Sequence, residues 1–297
     1  MISGVSRLDD SAFLFSAWSG LKALNEEFGY QTTILESDEE QDTLMNARYL
    51  AHSNFDLIWA VGYGTRDAVE FVAPRFPRIP ICTVDMSFDS IPPNVVSVRF
   101  DEHHGAFLAG VAAARASKTR SVGFVGGVRG ELMDRFAHGF VHGVEHVGRV
   151  ETHVAYCGSF ISFQAGRNTA EAMYGKGCDV LCHAAGAAGR GVIRTAKDLG
   201  KMVIGVDRDQ SFLAPRNVIT SMLKRIDRAV VEISRDILER KKPVGVEVRL
   251  GLATEAIRLA PFSHRDLPED LDEEIARVTE DLIAGRIEVR TGATTPS

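Results

Sequence analysis

Residues 179–210 read DVLCHAAGAAGRGVIRTAKDLGKMVIGVDRDQ, and this stretch narrows the possible folds more than any other. A short apolar run at 180–183 meets a small-residue turn carrying Gly186, Gly189 and Gly191. A helical pattern follows through Val192, Ile193, Ala196 and Leu199, and a second apolar run at 202–206 ends in Asp207 and Asp209. Strand, tight loop, helix and strand make one βαβ unit, with polar residues at the carboxyl ends of both strands. In open α/β sheets that edge is where ligands bind.

The rest of the chain repeats the unit. Apolar spacing predicts helices over 13–27, 42–53 and 67–73, with strands over 32–35, 57–61, 79–84 and 95–100. A second series has helices over 105–116, 134–147 and 165–174, and strands over 121–125 and 152–156. After the βαβ unit come a strand at 218–222, a helix at 227–240, strands at 246–250 and 256–259, and an acidic amphipathic helix at 271–284. Such alternation gives parallel sheets with helices on both faces. The chain therefore reads as α/β, with two similar parallel-sheet domains that recross near Lys224 and Leu250. One lobe is expected over 1–101 plus 225–250, the other over 102–224 plus 251–297, with a hinge and an interlobe cleft.

Bulk properties exclude several classes. A formal net charge of −6 argues against nucleic acid or anionic lipid as a partner. No apolar run approaches the roughly 18 residues of a membrane span. The start, MISGVSRLDD, has neither the basic residues nor the apolar length of a leader, which taken literally means cytoplasmic. Cys82, Cys178 and Cys182 fall in apolar strand-like runs and Cys157 ends one, so the thiols are expected to be reduced and structural. Cys178, Cys182 and His183 lack metal-finger spacing.

Several segments, in order, resemble one family. They are LDDSAFLFSAWSGL near the start, VRFDEHHGAFLAG at 98–110, SVGFVGG at 121–127, GSF at 158–160, HAAGAAGRGV at 183–192, GVDRDQ at 205–210 and TSMLKR at 220–225. The chain is similar to the basic membrane protein family of substrate-binding proteins, whose members include purine nucleoside receptors of ABC-type importers. The resemblance implies a two-lobed type I periplasmic-binding-protein fold of two Rossmann-like domains, a purine nucleoside as ligand, ABC permease subunits as partners, a monomer, and neither cofactor nor metal. It also implies an exported cell-surface or periplasmic lipoprotein in the full-length form.

By the same resemblance Asp207 matches the carboxylate that takes the ribose hydroxyls, Lys224 the cleft lysine, and Phe160 a ring that stacks on the base. Asp9 and Asp10 match an acidic pair, Asp85 a further acid after its strand, and Gly186 and Gly189 places where backbone nears the ligand. Phe13, Phe15 or Trp18 would supply the opposing ring. These residue types suit such a ligand, because an ionised carboxylate only accepts hydrogen bonds and can take both donors of a diol. A base presents flat faces to aromatic rings, each stack worth about 1–3 kcal/mol.

Two departures stand out. Leu14 occupies the place of a family asparagine, which puts the ligand's identity in question. With about eight residues ahead of Asp9, most of the first strand is expected to be missing, leaving a bare sheet edge. Rival readings are weaker. The glycines of 186–191 follow G-x-x-G-x-G rather than the dinucleotide fingerprint, and no nucleophile elbow occurs, so an enzyme is not expected. His138, His142 and His146 share a helix face but step too far along it to hold one metal, and read as a solvated face. His103 and His104 read as a surface pair. A ligand-sensing regulatory or scaffold protein with this fold and no transport role is the alternative.

Overall fold

The computed structural model describes residues 1–5, 8, 11–262 and 267–290. In chain order the elements are β1 (Ile2–Val5), α1 (Ala12–Phe28), β2 (Leu35–Ser37), α2 (Glu40–His52), β3 (Ile58–Val61), α3 (Arg66–Val72), β4 (Ile81–Val84) and β5 (Val95–Phe100). Next come α4 (Glu102–Ala116), β6 (Ser121–Gly126), α5 (Glu131–Val147), β7 (Glu151–Tyr156), α6 (Phe163–Gly175), β8 (Val180–Ala184), α7 (Gly189–Leu199), β9 (Met202–Asp207) and β10 (Val218–Lys224). The chain ends with α8 (Ile226–Leu238), β11 (Val246–Leu250), β12 (Ile257–Leu259) and α9 (Leu271–Ile283).

These elements form two units. Unit 1 is Met1–Phe100 with Arg225–Leu250, and unit 2 is Asp101–Lys224 with Gly251–Ser297. Unit 1 holds a parallel sheet in the order β11-β5-β4-β3-β1-β2. Its central strands β3 and β4 are buried on both faces, which is why they read as unbroken apolar runs. Unit 2 repeats the plan as β10-β9-β8-β6-β7, all parallel, with β12 antiparallel on the β10 edge. In both sheets the strand order reverses beside the first strand of the series. That switch point lies between β1 and β3 in unit 1 and between β6 and β8 in unit 2.

Local signals set the helix ends. Ser11 caps α1, its Oγ accepting from the Leu14 amide at 3.3 Å, and Gly29 ends it in a left-handed conformation. Leu14 itself is buried. The chain returns to unit 1 through α8, which packs on α1: the Asp227 amide donates to Ser16 Oγ at 3.2 Å, and a Cβ on Gly20 would meet the Val230 side chain at 2.8 Å. Trp59 Nε1 donates to Ser234 Oγ at 3.0 Å and ties α8 to the sheet.

The first strand is present, contrary to the sequence expectation. Ile2–Val5 fills the slot between β3 and β2, and Ile2 is buried at 1% exposure, so two apolar residues, one either side of a Ser-Gly pair, suffice for a strand there. The second strand starts at Leu35 rather than residue 32, because its ladder with β1 opens where the Leu35 amide donates to the Met1 carbonyl.

In unit 2, α4 is apolar around nearly its whole circumference and correspondingly buried. It meets α5 through glycines. A Cβ on Gly139 or Gly143 would land on the carbonyl oxygens of His103 and Phe107, and one on Gly110 on that of Phe140. Gly143→Ala must push the helices apart, at an expected cost of about 1–3 kcal/mol of unfolding free energy in a urea titration. A neutral outcome would mean the crossing is looser than described.

Packing against α4 also revises the reading of the histidines. His103 and His104 are half-buried, their rings 4.2 Å apart, rather than a simple surface pair. Along α5, His146 lies 5.5 Å from the Phe107 ring, and His142 Nδ1 accepts from the Arg290 amide at 3.1 Å. His138 and His142 are half-buried while His146 is exposed, so the row is covered in part and solvated in part.

Candidate ligand site

The carboxyl edge of the unit 2 sheet gathers Phe160, Gly186, Asp207 and Lys224. β6 ends at Gly126, and the Gly127 amide donates to the Ala184 carbonyl at 3.1 Å, so the two sides of the switch point are joined there. The half-buried Phe160 ring lies across Gly127, where a Cβ would collide with it. Gly186 has φ +55°, and its Cβ would come within 2.9 Å of the Phe160 carbonyl. Glycine is required there on both counts. The Ala188 amide donates to that same carbonyl at 3.1 Å, fixing the backbone behind the ring. Gly189 leaves room for the His183 imidazole, whose ring occupies the space a Cβ would take.

Asp207 ends β9 and is buried to 8% exposure. Its φ is +68°, and the Arg208 amide donates to the Val206 carbonyl at 2.8 Å across it. This is the positive-φ form of the γ-turn, which is rare and strained for a residue with a side chain. Asp207 pairs in register with Leu223, next to Lys224 on β10.

Lys224 and Glu102 are each 1% exposed in their side chains, and Lys224 Nζ donates to Glu102 Oε1 at 3.0 Å. The Arg135 guanidinium lies 3.5 Å from Glu102 Oε2 and also holds Glu131 at 2.9 Å. Burial alone would raise the Glu102 carboxyl, but the two cations outweigh it and hold the group below the usual carboxylate range. Glu102 was not singled out from the sequence. The available signal was a lone acid at the start of an otherwise apolar, small-residue helix.

Beneath Asp207 lies a second buried network that sequence reasoning did not find. Gln210 Oε1 accepts from the Val206 amide at 2.9 Å and lies 3.0 Å from His183 Nε2. The Gln210 amide donates to Ser221 Oγ at 3.1 Å. Because Oε1 only accepts, His183 carries its proton on Nε2. His183 Nδ1 has no hydrogen-bond partner among the described residues. Burial pulls this imidazole down to about 4, against a smaller upward pull from Gln210.

In unit 1 the Phe13 ring sits over Gly62, its edge 3.5 Å from where a Cβ would be, at the carboxyl end of β3. Asp85 follows β4, half-buried at φ +61°, the same left-handed region as Asp207. Trp18 packs within α1 instead, 5.3 Å from the Phe15 ring and with Lys22 Nζ 5.7 Å from its centroid. Asp9 and Asp10 lie outside the described residues.

Among the described residues no three His, Cys, Asp or Glu side chains are placed to hold a metal ion. The four cysteines are free; burial pushes Cys182 up to about 12 and raises Cys82, Cys157 and Cys178 as well, so these thiols resist ionisation.

Known proteins agree with this architecture. Over residues 1–291 the chain matches the family described as ABC transporter substrate-binding protein PnrA-like. It is similar to Basic membrane protein A of Borreliella burgdorferi, with 40% identity over 227 residues covering 75% of this chain and 67% of that protein. It is similar to the CD4+ T-cell-stimulating antigen of Listeria monocytogenes, with 35% identity over 312 residues covering 97% of this chain and 87% of that protein. A solute-binding protein of an ABC transporter system from Aeropyrum pernix superposes with a TM-score of 0.87 at 25% identity, covering 98% of this chain and 92% of that one. One from Conexibacter woesei, at 21% identity and a TM-score of 0.79, shares the fold over 98% of this chain and 97% of its own. The sequence segments, the two-lobed α/β fold and these likenesses converge: the chain belongs to the basic membrane protein family of ABC-transporter substrate-binding proteins.

Proposed function

We propose that this protein is the solute-binding component of an ABC-type importer and that its ligand is a purine nucleoside. The observation that carries the reading is the carboxyl edge of the unit 2 sheet, where an aromatic ring follows β7, a strained carboxylate ends β9 and a buried ammonium ends β10. Asp207 accepts the ribose diol, Lys224 adds a donor oriented by Glu102, and Phe160 stacks on the base. Gly186 lets the backbone approach the ligand, and Phe13, Asp85, Asp9 and Asp10 are assigned as further ligand contacts. The protein binds and releases without catalysis, acts as a monomer with permease subunits, and in its full-length form is an exported lipoprotein. No described helix is long and apolar enough to cross a membrane.

Calorimetry with adenosine, inosine and guanosine tests the ligand class, and Asp207→Asn tests the site. The variant keeps the shape of the side chain and removes its charge. Loss of a charge-assisted hydrogen bond, about 1.5–3 kcal/mol, corresponds to an affinity about ten- to a hundredfold weaker. Unchanged affinity in a folded Asp207→Asn protein would remove Asp207 from the site, and no heat with any of the three nucleosides would remove the ligand class.

A further inference from the structure

The strained turn at Asp207 needs something to hold it, and the chain supplies a side chain for the purpose. A residue with a Cβ at φ +68° costs on the order of 1–3 kcal/mol and persists only where its surroundings over-determine it. Around Asp207 those surroundings converge on Gln210. Its Oε1 takes the amide of Val206, the residue before the turn, and its own amide is anchored on Ser221 of β10. His183 of β8 donates to the same Oε1 from the far side. Two strands, β9 and β8, thus fix the carboxamide, a third, β10, holds the backbone amide of the same residue, and the loop 207–210 is closed back onto β9. The space is shaped for it: at Gly205 a Cβ would lie 2.5 Å from Ser221 Oγ and 2.6 Å from Gln210 Oε1. Gln210, His183 and Ser221 are all buried, so the network acts from beneath Asp207 and is shielded from solvent.

We propose that Gln210 is a positioning residue: its carboxamide locks the Asp207 turn and so sets the direction in which the Asp207 carboxylate meets the ligand. Gln210 touches no ligand in this account and acts only through Asp207. The inference rests on the reading of Asp207 as the group that takes the ribose diol, and it extends that reading to the device that pre-organises the acid.

Gln210→Met keeps the length of the side chain and removes both acceptor and donor. Calorimetry compares inosine with 2′,3′-dideoxyinosine, which lacks the diol. The variant is expected to bind inosine about tenfold or more weakly, as for loss of one charge-assisted hydrogen bond, and the dideoxy analogue within about twofold of the parent. Equal losses for both ligands, or no loss for either, overturn the proposal. Where Gln210→Met does not fold, Ser221→Ala, which frees the Gln210 backbone amide and so loosens the residue whose carboxamide holds the turn, is expected to shift binding in the same direction. Asp207→Asn run in parallel separates the two levels: if it binds inosine as the parent does, the diol reading has failed, whatever Gln210 does. A crystal structure of Gln210→Met decides without any ligand. Asp207 is expected to leave the left-handed region, and its retention there at an unchanged φ overturns the proposal.

Discussion

Glu102→Gln lowers the unfolding free energy by about 3–5 kcal/mol, the range for removing one partner of a buried ion pair. The substitution takes the Glu102 carboxylate from the Lys224 ammonium, 1% exposed, and leaves the Arg135 guanidinium with Glu131 as its acid partner. The penalty is the desolvation of charge left behind, so it exceeds the net worth of the pair. The double variant Glu102→Leu with Lys224→Met, which removes both charges, recovers much of the loss. Urea unfolding followed by far-ultraviolet circular dichroism measures both. Trp18 and Trp59 lie in unit 1, so tryptophan fluorescence on the same samples reports the other unit. A loss below about 1 kcal/mol for Glu102→Gln, the value of a surface pair, would mean the site is wetter than described.

Acid destabilises the protein through His183. Its folded-state pKa of about 4 lies below the ordinary 6.5 because burial disfavours the imidazolium. A depressed folded value means that the unfolded chain binds more protons between those two limits. Stability is therefore fully present above pH 6.5, falls as the pH drops toward 4, and changes no further from this group below that. The gap corresponds to on the order of 3 kcal/mol for a group this buried. His183→Gln, neutral at every pH, flattens this part of the profile of urea midpoint against pH. An identical slope in parent and variant would show that His183 does not titrate as described. Glu102 adds loss in the same direction at lower pH, because its folded-state value is depressed too.

Much of the architecture was legible because the signals are local. The apolar runs of β3, β4, β8 and β9, each ending at a glycine or an aspartate or leading into a small-residue turn, announce parallel strands with polar carboxyl ends. The strand-end place of Asp207 was legible for the same reason, whereas the roles given to Asp207 and Phe160 rest on the family resemblance of the GVDRDQ and GSF segments. The supports of the site were not visible. Glu102 meets Lys224 across 122 residues of sequence, and nothing near either residue announces the other. Gln210 sits in a polar loop, DRDQ, where a carboxamide reads as solvated; only the folding of three strands around it makes it buried. Phe13 and Trp18 lie on one helix and differ in what they face: Phe13 meets a strand end and Trp18 packs along its own helix, a distinction periodicity does not draw. Ile2–Val5 escaped notice because so short a strand is specified by its neighbours β2 and β3 more than by its own residues.

The interleaving of the two units along the chain constrains how the molecule is made. The sheet strand β5 is complete at Phe100, but the strand that covers its outer edge, β11, begins only at Val246, after β6 to β10 have been synthesised. Throughout that interval a nascent chain carries an unsealed row of amides and carbonyls on β5, open to pairing with whatever strand comes first. A chain that folds its first hundred residues before Val246 is in place would therefore hold an aggregation-prone edge until β11 arrives.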